Sequence, residues 1–521
     1  QTRPGMPTRS DTPGPPPGGP QRLHPFSWLF VLLQQLRAFA IPLVVLLVTG
    51  RGQSSEWLGL IGVAGLTALS VAQYFTYRYE PTAEGIVIRH GILQRTRRDI
   101  PYERIHTVNL HQTVLHRLFG VAEVRLESAG SREPEAVMRV LAMTEARGLE
   151  ELVRLYGGAR RPPIDGIADR AAAEEPAPLL TLGPGELFRL GLISNRGVVV
   201  VAAIVGLASQ VLMESQDAAR DSVAAPLRAF YELIHGFVAA RFDDTAALAA
   251  GTLFVVGAAL ALVRLLSVVL AFVQYHGFVL REHERQLRVQ RGLLTRVRHQ
   301  LPRRRIQAWR IDETLLHRWL GRQTLRVDSA AGADDERGIR ELAPVAPPAT
   351  VTELLARLLP DARWPRTDWR PVHPRAWRRL LVRPFAMLLL LASAVAWFEG
   401  LRGLVVFVAV PLLVLRARRQ GAFAGYAIDD RVVAVRSGWL TRRWGVVPVA
   451  KLQSIRVTQS PFDRRHGMAT LWLDTAGAPA ADGVLRIRFL PVDEARQLYA
   501  RLVDHMTASS PLATAPPVPA E

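Results

Sequence analysis

The chain contains no cysteine among its 521 residues. Disulfides, thiolate metal centres and cysteine nucleophiles are therefore excluded by composition. Lysine is nearly absent as well. Lys451 stands alone, so the formal net charge of +19 rests on arginine. Aromatic residues make up only 7%, and they do not interleave with the basic clusters as base-stacking platforms for nucleic acid would. There is no GxxxxGK[ST] phosphate loop, HExxH helix or GxSxG elbow. These absences predict no cofactor, no metal, no nucleic-acid partner and no enzymatic activity.

Apolar sequence, in contrast, is abundant: 49% of residues are hydrophobic although 21% are charged. The apolar residues collect in six runs arranged as three pairs, 28–49 with 57–75, 197–213 with 248–273, and 384–398 with 403–415. About 20 helical residues cross a ~30 Å hydrocarbon core. The first two pairs reach that length; the third is short and must borrow flanking residues or thin the bilayer. Arginines follow the second run, precede the fifth and follow the sixth, whereas the connection 214–247 carries six acidic residues against three arginines. This asymmetry predicts a multi-pass protein of the inner (plasma) membrane with both termini cytoplasmic. Within the connection, 226–242 has the apolar spacing of a helix lying on the outer interface or of a soluble amphipathic helix. Arg37, beside Gln34 and Gln35, and Arg264 fall inside apolar runs. Buried charge of this kind can mark a transport path; a polar seam for Arg37 and snorkelling for Arg264 are the preferred readings.

One motif recurs after each pair. "GIVIRHGILQRTRRDIPYERIHTVNLHQTVLHRLFG" matches "LRVQRGLLTRVRHQLPRRRIQAWRIDETLLHRWLG" and "VVAVRSGWLTRRWGVVPVAKLQSIRVTQSPFDRRHG". Gly91 and Pro101, Gly292 and Pro302, and Gly438 and Pro448 hold one spacing; Gly120, Gly321 and Gly467 follow those prolines at another. Repetition at so many anchors is an internal repeat. Alternating residues around a glycine predict a hairpin, further strands follow, and each copy ends in a helical pattern at 143–158, 349–361 or 492–505, with N-caps expected near Thr144, Thr350 or Thr352, and Asp493.

The repeat also addresses His106, His111 and His116. The other copies place Gln307 and Gln453, Asp312 and Thr458, and His317 and Asp463 at those positions. A metal requires converging ligands of fixed type, so surface or turn roles are expected instead. The clustered acids of 327–338 are read as a loop, and Asp429–Asp430 as a turn.

In "IVIRHGIL", "IPYERIHTV" with its counterparts "LPRRRIQAW" and "VPVAKLQSI", and "LHRLFG" with "LHRWLG", the chain resembles the bacterial pleckstrin-homology family over roughly 25–505. The third copy departs with "RRHGMA". The resemblance implies modules of seven antiparallel strands and a C-terminal helix, and implies little about ligands.

The expected architecture is six transmembrane helices in three hairpins plus three cytoplasmic PH-like β-barrel or sandwich domains. Its boundaries are a disordered tail 1–25, helix pair 26–77, module 78–158, linker 159–186, helix pair 187–275, module 276–361, linker 362–379, helix pair 380–418, module 419–505 and tail 506–521. The candidate binding residues are the arginines after each strand-turn: Arg95, Arg97 and Arg98; Arg296, Arg298, Arg303, Arg304 and Arg305; Arg442 and Arg443. Held near an anionic leaflet, each would gain about 1 kcal/mol. The expected role is a non-enzymatic scaffold that binds anionic lipid headgroups or protein partners, in homo- or hetero-oligomers, possible in envelope stress or resistance. The alternative is a transporter or lipid-handling protein gated by the modules.

Overall fold

In the computed structural model, the described residues are 21–22, 77–156, 177–213, 245–329, 340–476 and 485–508, with short breaks at 83, 92–94, 129–134 and 284, plus scattered positions in 27–76 and residue 236. Two compact units result, one of residues 1–176 with 294–300, the other of 177–293 with 301–521.

In the first unit, β1 (Gln21–Arg22), β2 (Arg78–Pro81), β3 (Gly85–His90) and β4 (Thr96–Pro101) form an antiparallel sheet in that order. A 3₁₀ turn at Tyr102–Arg104 leads to β5 (Ile105–Gln112), then α1 (Val114–Leu118), β6 (Val121–Ser128) and β7 (Ala136–Ala142); α2 (Met143–Tyr156) closes the module. Ile86, Ile88 and Ile100 of the first sheet meet Val108, Leu126 and Met138 of the second, with Leu149 and Val153 of α2, in one core. The unit's second segment pairs with β5, Arg296 opposite Gln112 and Arg298 opposite Leu110.

The second unit begins with β8 (Leu180–Thr181), α3 (Pro184–Ile193), α4 (Arg196–Met213) and α5 (Thr245–Tyr275). A module follows, of whose β11 residues 296–300 belong to the first unit: β9 (Val279–His283), β10 (Gln286–Arg291), β11 (Arg296–Pro302), β12 (Ile306–Glu313), α6 (Leu315–Trp319), β13 (Gln323–Ser329), β14 (Glu341–Ala346) and α7 (Pro348–Leu358). Next come β15 (Arg370–Pro371), α8 (Ala376–Glu399), a 3₁₀ stretch at Gly400–Ala409 and α9 (Val410–Phe423). The last module is β16 (Gly425–Ile428), β17 (Val432–Ser437), β18 (Arg442–Pro448), β19 (Leu452–Thr458), α10 (Pro461–Arg465), β20 (Met468–Thr475), β21 (Arg486–Pro491) and α11 (Val492–Ala508).

The repeated glycines have a conformational cause. Gly91, Gly292 and Gly438 take φ of 122°, 110° and 100°, and Gly120, Gly321 and Gly467 take 65°, 62° and 65°. A side chain is strained at such angles, so both turns demand glycine in every copy.

Four features differ from the sequence expectations. First, each module's opening strand comes from upstream of the apolar runs that precede it. Gln21 pairs with Tyr79, Leu180 with Leu280 and Arg370 with Tyr426. Residues 21–22 were expected in a disordered tail, and 180–181 and 370–371 in linkers; two-residue strands leave no periodic signal. Second, Thr144, Thr350, Thr352 and Asp493 lie inside their helices rather than capping them. The αL glycine takes over that task in two copies, since the Gly120 carbonyl accepts from Met143 N at 3.0 Å and that of Gly467 from Val492 N at 3.1 Å. Third, the short sixth run lengthens through 3₁₀ geometry, which rises about 2.0 Å per residue rather than about 1.5 Å. Fourth, the last two modules share one sheet and part of a core. Seven strands run in the order β14-β13-β12-β18-β17-β16-β15, and Ala427, Val432, Ala434 and Val446 join the core of the preceding module.

Two helices among the described residues, Ala250–Tyr275 and Ala376–Trp397, are long and apolar enough to cross a membrane, with mean hydropathies of 2.6 and 2.0. Close packing inside the last hairpin, of the 3₁₀ stretch on α8, uses small residues. A Cβ on Gly403 would lie 2.6 Å from Ala396 N and 2.7 Å from Ala392 O. Arg264 is structural: its Nη1 donates to Leu192 O, Ser194 O and Asn195 Oδ1 at 3.1–3.2 Å, satisfying carbonyls at the end of α3. Most of the first helix pair, Arg37 with its glutamines, segment 226–235, segment 237–244 and the acidic loop 330–339 lie outside the described residues.

Candidate functional site

A cavity of about 360 Å³ lies where the last helix hairpin meets the last module. Leu380 of α8 and Arg416 and Gln420 of α9 line one side. Arg436, Arg443, Arg486 and Arg488 project from β17, β18 and β21 on the other. Five arginines and no carboxylate line it. Strand alternation places Arg486 and Arg488 on one face of β21.

Arg436 is the most constrained. Its guanidinium stacks over Trp369 at 4.9 Å and Phe423 at 5.3 Å, and its Nε is buried without a hydrogen-bond partner. Burial, then the positive charge of Arg442, push its pKa below the usual arginine value. Burial and Arg383 do the same to Arg486, which stacks over Trp472 at 5.0 Å. Two cations lowered by burial and then by a neighbouring positive charge, in a cavity lined by no acid, form a site whose electrostatics favour an entering anion.

Only Arg443 among the ten arginines expected from sequence lines this cavity. Arg443 also faces Asp312 at 3.6 Å, and Arg442 faces Glu313 at 3.6 Å, across the β12–β18 junction. Arg303 is held by Glu282 at 2.8 Å and Leu358 O at 2.7 Å. The Arg304 carbonyl accepts from Lys451 Nζ at 2.7 Å, while Arg305 is half-buried. Arg95, Arg97, Arg98, Arg296 and Arg298 are exposed on or beside β4 and β11; Arg98 donates to Glu135 O at 2.6 Å. Sequence reasoning missed Arg416, Arg436, Arg486 and Arg488. Arg416 was read only as a topology signal, and the R-I-R alternation of β21 was the one available clue.

His116 and its counterparts resolve as capping elements, whereas the side chain of His106 lies outside the described residues. Thr113, Thr314 and Ser460 are N-caps of α1, α6 and α10, and the third helical residue reaches back in each copy: His116 Nδ1 lies 2.6 Å from Thr113 Oγ1, His317 Nδ1 2.8 Å from Thr314 Oγ1, and Asp463 Oδ2 2.6 Å from Ser460 Oγ. The turn role was expected, but His116 is buried rather than at the surface. His111 meets His299 edge-on, ring centroids 5.3 Å apart. Asp429 accepts from Arg431 N at 2.9 Å and Val432 N at 2.7 Å, as a turn residue does. A second repeated pair locks the closing helix of the first and last modules: Tyr79 donates to Glu145 at 3.2 Å, and Tyr426 to Glu494. Burial raises the pKa of both phenols, the glutamates adding to it.

Repeated two-sheet modules closed by a helix, suspended from apolar hairpins, define a class of membrane proteins built on PH-like repeats. The family model described as "Bacterial PH domain" matches residues 29–156, 234–360 and 386–506, and the chain belongs to that family. It is similar to the transmembrane protein YdbT of Bacillus subtilis, with 22% identity over 472 residues covering 87% of this chain and 92% of the relative. No solved structure matches the chain.

Proposed function

We propose that this membrane protein is a non-enzymatic scaffold that presents three PH-like modules on the cytoplasmic face of the inner membrane, where the basic cavity of the last module holds the phosphate-bearing headgroup of an anionic lipid. The five-arginine cavity beside the helix ends carries the reading. A phosphate there would receive charge-assisted hydrogen bonds from the lining guanidinium groups. The one-sided topology is supported by the strands that flank each hairpin. Pairing of β8 with β9 and of β15 with β16 joins the residues before and after the second and third helix pairs, which supports a return to the same side.

The test is lipid retention by the purified protein, read by native mass spectrometry with phosphatidylglycerol, phosphatidylcholine or inorganic phosphate added. Phosphatidylglycerol is expected to bind in preference to phosphatidylcholine. Competition by inorganic phosphate would show that the headgroup alone is recognised. Arg436→Gln with Arg486→Gln removes two charges worth about 1 kcal/mol each and weakens phosphatidylglycerol binding about 30-fold. Equal affinity for the two lipids, or an unchanged double variant, would refute the reading.

A further inference from the structure

The three modules repeat not only in sequence but in the way one strand meets another. In the first unit, Gln112 of β5 pairs with Arg296 of β11; in the second, Glu313 of β12 pairs with Arg442 of β18. Gln112 and Glu313 each stand eleven residues after the anchor prolines Pro101 and Pro302, while Arg296 and Arg442 each stand six before Pro302 and Pro448. Both pairings therefore use one register.

Two strands of this set remain without that neighbour. Among the described residues, β4 pairs with β3 alone and β19 with β20 alone. Burial records the difference. Seven of the eight residues of the paired strand β12 are buried, whereas only Leu452 of its counterpart β19 is buried. Thr96 to Asp99 of β4 are exposed. One edge is the donor half of the repeated junction and the other is the acceptor half, on opposite ends of the same chain. A bare strand edge is a ready template for another chain. Charged residues commonly blunt such edges, yet β11 and β18 carry Arg296, Arg298, Arg442 and Arg443 and are paired nonetheless.

We propose that β19 of one copy pairs antiparallel with β4 of a second copy, continuing the internal register so that Thr458 lies opposite Thr96, Val457 opposite Arg97 and Gln459 opposite Arg95. The contact is heterologous, and its repetition adds copy to copy. It rests on strand pairing and does not depend on the lipid reading. The register opposes one pair of like charges, Arg98 and Arg456; the Arg456 guanidinium is drawn over Trp472 at 5.4 Å, and Arg98 donates to Glu135 O at 2.6 Å.

The natural absence of cysteine makes the test direct. Thr96→Cys with Thr458→Cys, in the full-length protein in native membranes under mild oxidation, is expected to give reducible bands at multiples of the chain mass. Mixing the two single variants is expected to give a band at twice that mass. The internal equivalent, Asp312→Cys with Arg443→Cys, reports within one chain whether this position of the ladder closes a disulfide; a neighbouring set, Arg95→Cys with Gln459→Cys against Arg442→Cys with Glu313→Cys, covers the other type of antiparallel pair. Where an internal control closes and its counterpart between copies stays monomeric, the proposal is overturned. It is equally overturned by a band containing a different protein, or by Thr96→Cys linking as well to Ile455→Cys, which is out of register.

Discussion

Acidification should begin to cost stability through His317 before it protonates most carboxylates of the fold. His317 is buried, its Nδ1 lies against the Thr314 hydroxyl and its Nε2 lies 3.0 Å from Thr324 Oγ1. Burial, with the Arg326 charge behind it, lowers its pKa from 6.5 to about 4. The unfolded chain therefore binds more protons than the native one between those values. Stability is complete above about pH 6.5 and falls as pH drops towards 4. At about 1.4 kcal/mol per pH unit the ceiling is about 3 kcal/mol, and residual hydration of the ring brings the expected loss nearer 2 kcal/mol. His317→Gln removes the titration and part of the cap, costing about 1 kcal/mol near neutral pH. Thermal unfolding of the purified protein, followed by tryptophan fluorescence, is the assay. The wild type should be the more stable near pH 7.5, and its advantage should vanish or reverse near pH 4.5. Two melting curves that shift in parallel over that range would refute the reasoning, because every other titrating group is common to both proteins.

Further outcomes concern the junction and the hairpin. Asp312→Ala leaves Arg443 and Arg326, at 3.6 and 3.3 Å, without their shared carboxylate; a loss of about 1 kcal/mol is expected because both cations are half-exposed, checked against the solvent-facing control Asp474→Ala by thermal unfolding. Gly403→Val should destabilise the last hairpin by about 1–3 kcal/mol through overpacking against Ala392 and Ala396, whereas Gly257→Ala, with nothing within 4 Å of the new Cβ, should leave detergent stability unchanged.

The repeat was legible because its constraints are local. A turn that needs φ near +100° selects glycine wherever it occurs, and a one-turn helix closed by an αL residue selects it again. The capping position was legible as a turn but not as a cap. Its third helical residue is histidine in two copies and aspartate in the third, two side chains that share only the ability to bond the N-cap hydroxyl. The cavity was harder to see. Arg416, Arg436 and Arg486 are separated by tens of residues, and in an arginine-rich chain none stands out by type.

By itself the sequence determined three copies of one module, the apolar runs that precede each of them, and the exclusion of cysteine chemistry, because spacing, periodicity and composition act over a few residues at a time. The tertiary structure alone decided which strand completes each module, which arginines share a cavity and which edges meet. Those outcomes depend on pairing between segments far apart in the chain. A two-residue strand or an unfilled sheet edge carries no periodic signature until its partner is in place.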